Sequence, residues 1–179
     1  KAYEALGDVK VLLNTFGTDS FIVKDWTTGQ TWLDFNSSRV DSSINNVDLE
    51  QALNIDDIGQ LGGTDYVKAL ENNITELNSL SNTKVEQLKA EKTIAFFISD
   101  AEPQFGAVTP TTTLTQQWKD AQARVGVEDS YALGIGALVQ PETLATVVDP
   151  NKIEIVRNVN DLVNALVEKV EYVVVEGNA

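Results

Sequence analysis

Apolar residues recur along this chain in two rhythms. Val67, Leu70, Ile74, Leu77 and Leu80 follow one another every three or four residues. That spacing lines one face of a helix, so a helix is predicted from Tyr66 onward. Residues 93–99 (TIAFFIS) form instead a short, nearly continuous apolar run, the mark of a strand covered on both faces. Residues 9–16 (VKVLLNTF) read the same way, and 20–25 (SFIVKD) read as their hairpin partner across the turn Gly17-Thr18-Asp19. Further strands are predicted at 130–135 (SYALGI) and 152–156 (KIEIV). Helices are predicted at 114–125, at 144–148 and through Leu162, Leu166 and Val170, the last capped by Asn160 or Asp161. Residues 1–6 read as the tail of a helix stopped at Gly7. Residues 26–60 are polar and irregular, with one short helix predicted near 49–53.

Strands alternating with helices imply an α/β fold: a mostly parallel central sheet with one antiparallel edge strand and helices on both faces. At 179 residues the chain suits one domain, expected over 1–171 with a polar insertion at about 33–60. Residues 172–179 are expected to be a tail or a linker to neighbouring domains; Tyr172-Val173-Val174-Val175 could supply a strand, but a helix end or linker is the preferred reading.

Charge narrows the partners. There are 27 acidic and 13 basic residues, a net of −14. Such a field repels nucleic acid and anionic membranes and draws cations, though a solvated surface accounts for most of it. No run approaches the roughly 18 apolar residues that span a bilayer. The absence of Cys and His removes disulfides, thiolate or imidazole metal sites, cysteine nucleophiles and Ser-His-Asp triads. What remains is oxygen-ligand chemistry, suited to magnesium, calcium or manganese. Lack of Cys and Met also suits an oxidising exterior.

In open α/β sheets, ligands bind beyond the carboxyl ends of the strands. Asp100 stands there, directly after TIAFFIS, and Thr64 stands in LGGTDY, a loop that opens a helix. A carboxylate and a hydroxyl are hard oxygen donors, and magnesium keeps several waters, so a few protein ligands suffice. Equally, Thr64 suits a helix cap, Gly62-Gly63 a plain turn, and Asp100 a strand end before Pro103. Gly134-Ile135-Gly136 lacks the third glycine of a dinucleotide fingerprint and reads as strand-end geometry.

The order of these segments resembles a von Willebrand factor A domain. The likeness rests on VKVLLNTFGTDS, LGGTDYVKAL, KTIAFFISDAEP, YALGIGA, LATVV and IEIVRNVNDLVNAL, and covers residues 6–170 apart from 32–60. The segments look most like the A domains of large bacterial surface adhesins. The resemblance implies a divalent ion at the top of the sheet, held by an Asp-x-Ser-x-Ser set, a threonine and an aspartate. Thr64 matches the threonine and Asp100 the aspartate, the latter often acting through water. A carboxylate on a protein or glycan partner then completes the shell, placed beside a helix amino terminus that favours anions.

The Asp-x-Ser-x-Ser set has no match in its expected place, ahead of residues 1–6. Asp34-Phe35-Asn36-Ser37-Ser38 has a related spacing but follows the wrong strand, and Asp41-Ser42-Ser43 fails the spacing. The resemblance also places a first strand at the centre of the sheet, between residues 9–16 and 93–99. Two strand edges are expected to need that partner, supplied by an upstream segment or another chain. The functional expectation is a non-enzymatic, extracellular, metal-dependent adhesion module using Mg2+, or Mn2+ or Ca2+. Its alternative is a structural spacer of a large adhesin with an incomplete or idle metal site. No P-loop, dinucleotide fingerprint or catalytic base pair argues for an enzyme.

Overall fold

The computed structural model describes residues 9–25, 28–34, 39–41, 46–48, 63–90, 92–103 and 109–176. Its first strands are β1 (Lys10–Leu12), β2 (Asn14–Phe16), β3 (Ser20–Ile22), β4 (Trp32–Asp34), β5 (Arg39–Asp41) and β6 (Asn46–Asp48). Next come α1 (Tyr66–Ser79), α2 (Asn82–Leu88), β7 (Ile94–Ser99), α3 (Thr112–Arg124), β8 (Asp129–Ile135) and α4 (Pro141–Leu144). A 3₁₀ turn at Pro150–Lys152, β9 (Ile153–Val156) and α5 (Val159–Glu176) complete the order. The helices expected at 1–6 and 49–53 lie outside the described residues.

β7, β8 and β9 form a parallel sheet in that order, with Phe97 beside Ala132 and Ala132 beside Ile153. Successive side chains on a strand point to opposite faces. Phe97, Ala132 and Ile153 therefore share one face and pack with Tyr66, Leu70 and Leu77 of α1, Trp118 and Ala121 of α3, and Leu144 of α4. Phe96, Ile98, Leu133 and Ile135 take the other face and pack with Leu162 and Ala165 of α5. Helices cover both faces, and the fold class is α/β.

Residues 9–16 depart from one enclosed strand. They form two three-residue strands broken at Leu13, with half-buried side chains apart from the exposed Lys10. β2 pairs antiparallel with β3, β1 pairs antiparallel with β4, and α1 packs against the β2–β3 hairpin. Two polar side chains fasten that hairpin: Lys68 Nζ donates to Thr18 O and Asp19 Oδ1, and Asn72 Nδ2 donates to Ser20 O. Within the stretch 26–60, expected to be irregular, the described residues hold β4 and the antiparallel pair β5–β6. A tight turn explains the return to β4. Asp25 Oδ1 accepts from the amide and hydroxyl of Thr28, while Asp25 N–H donates to Gln30 O. Gly29 takes the left-handed conformation this turn requires, at φ +69°.

Helix ends shift for local reasons. The helix expected at 144–148 is Pro141–Leu144, because proline is pre-set for a first helical position, and the buried Val147 and Val148 follow in turns. Asn158, not Asn160 or Asp161, caps α5, its Oδ1 accepting from the amides of both. α5 runs through 172–175, which is helical rather than a strand. α2 gave no apolar rhythm because Val85 is its one buried residue.

Candidate functional site

The carboxyl end of β7 and the amino end of α1 meet at one edge of the molecule. Asp100 is the first residue past β7 and is exposed. Gly63, at φ +80°, turns the chain into Thr64 and Asp65. Asp65 carries the cap: its Oδ1 accepts from Lys68 N–H at 3.0 Å. Thr64 is therefore not the capping residue, although its side chain is buried at 7% exposure.

Tyr66 joins the two loops. Its hydroxyl donates to Ala101 O at 3.0 Å, and Ser99 Oγ donates to the same carbonyl at 2.9 Å. The Tyr66 ring is fully buried, edge-on to Phe97 at 4.8 Å and to Phe16 at 6.1 Å. Burial pushes its phenol from 10.0 up to about 12; the Ser99 hydroxyl opposes the shift, and the Glu102 and Asp100 carboxylates add to it. Both acids thus stand close enough to Tyr66 to be felt electrostatically.

Glu102 is a participant that sequence reasoning missed. One carboxylate oxygen accepts from Gln140 N–H and the other from the Thr143 hydroxyl, so the Asp100 loop is bound to the start of α4. The available signal was an acid two residues beyond the strand end in SDAEP.

A hydroxyl at a helix mouth and a carboxylate at a strand end are hard donors that fit magnesium, manganese or calcium. Among the described residues there is no group of three or more Asp, Glu, His or Cys placed to hold a metal. Asp34 and Asp41 lie in β4 and β5, and the rest of their motifs lies outside the described residues. Among the described residues no helix is long and apolar enough to cross a membrane.

No protein-family model matches the chain, and no curated protein does. A solved structure, a von Willebrand factor type A protein from Catenulispora acidiphila, superposes with a TM-score of 0.57 at 16% identity. The match covers 94% of this chain and 34% of that one, so this chain spans about a third of its length. The order of strands and helices, the parallel sheet covered on both faces and this superposition agree: the chain has the fold of von Willebrand factor type A domains.

Proposed function

We propose that this chain is a metal-dependent ligand-binding module of an extracellular adhesin, in which Thr64 and Asp100 contribute oxygens to a bound Mg2+, or Mn2+ or Ca2+. The observation that carries the reading is the Tyr66–Ala101 hydrogen bond, which ties the Thr64 loop to the Asp100 loop at the carboxyl edge of the sheet. The capping role of Asp65 supports it by relieving Thr64 of that duty. When bound, the ion supplies positive charge on a chain of net charge −14, which favours an acidic group on a protein or glycan partner. The chain's own residues position and shield. Tyr66 and Ser99 fix the Ala101 carbonyl, Glu102 anchors the loop to α4, and Thr64 is itself buried at the mouth of α1. No catalytic step is part of this reading.

Thermal unfolding under Mg2+ and Mn2+ titration tests it. The midpoint should rise with either ion, and Thr64→Ala or Asp100→Ala should abolish the rise while leaving the ion-free midpoint nearly unchanged. A wild-type midpoint that moves with neither ion defeats the proposal. The second reading, a structural spacer with an idle site, draws on the lack of a three-acid group among the described residues. It expects adhesion of the longer polypeptide to survive both substitutions.

A further inference from the structure

We draw no further inference here: the strongest candidate, the roughly 170 Å³ cavity between α3 and the 3₁₀ turn lined by Lys119, Gln122, Asp129, Ser130, Asp149 and Lys152, carries nothing because its lysines and aspartates are already ion-paired within the chain and no buried side-chain polar atom of its lining lacks a partner.

Discussion

The hydroxyl of Tyr66 and the carbonyl of Ala101 are 3.0 Å apart, and this bond spans 35 residues of sequence to join the mouth of α1 to the loop beyond β7. The ring beneath it packs edge-on to Phe97 and Phe16, while the Ser99 hydroxyl shares the Ala101 carbonyl. Tyr66→Phe keeps the ring and removes the bond, which should cost about 1 kcal/mol in urea unfolding. The alkaline limb carries a second signature. The folded phenol is raised to about 12 from 10.0, so its contribution is complete below pH 10 and is lost as pH rises towards 12. The variant should lack that part of the alkaline decline. An identical decline in both proteins would remove Tyr66 as its source.

Asp129 gives the acid counterpart. Hydrogen bonds from Lys152 and then Lys92 hold its carboxyl below the usual 3.8, against an opposing effect of burial. A lowered carboxyl contributes stability that is present above the unfolded value and lost as pH falls through the folded one. The wild type should therefore lose stability below about pH 4 in part through this group. Asp129→Asn should flatten that limb and be less stable at pH 7 by roughly 1 kcal/mol or less, the range for partly exposed pairs. Acid-limb slopes that coincide for the two proteins would show that the cluster does not titrate with folding.

Gly134 is a packing requirement of the sheet. A Cβ there would lie 2.5 Å from Ile155 Cδ1, 3.0 Å from Val139 Cγ1 and 3.2 Å from Leu144 Cδ1. The Ile155 side chain is partly exposed and its end can turn aside, but Val139 and Leu144 are enclosed. Gly134→Ala should therefore destabilise by about 1–2 kcal/mol in denaturant unfolding, through overpacking of α4 against β8. A neutral result would mean that the α4 segment shifts freely.

These residues also mark what the sequence could reveal. β7 and α1 were legible because burial imposes period: TIAFFIS is apolar on both faces, and α1 buries one stripe. Thr64 and Asp100 were legible as positions, since strand ends and helix mouths follow from those elements. Their connection was not. It runs through a tyrosine that reads as ordinary core and through a backbone carbonyl, which has no residue signature. Glu102 was hidden for a similar reason, because its partners at Gln140 and Thr143 lie far along the chain. β4 escaped notice because a carboxylate-capped turn at Asp25, not hydrophobic rhythm, brings it back to β1.

The edge of β7 supplies the last prediction. β8 is paired on both sides, by β7 and β9, whereas β7 is paired only with β8 among the described residues. Residues 9–16, expected on the far side of a missing strand from β7, pair with β3 and β4 and not with β7. Yet the Phe16 and Phe97 rings lie 5.1 Å apart, so side chains meet across a line where backbones do not bond. Amides of residues 94–99 that point away from β8 should exchange with solvent about tenfold or more faster than those directed at it. A longer polypeptide supplying an apolar strand at that edge should slow them selectively, leaving β8 amides unchanged. Uniformly slow exchange across β7 in this chain alone would show that the edge is already covered and that no further strand is needed.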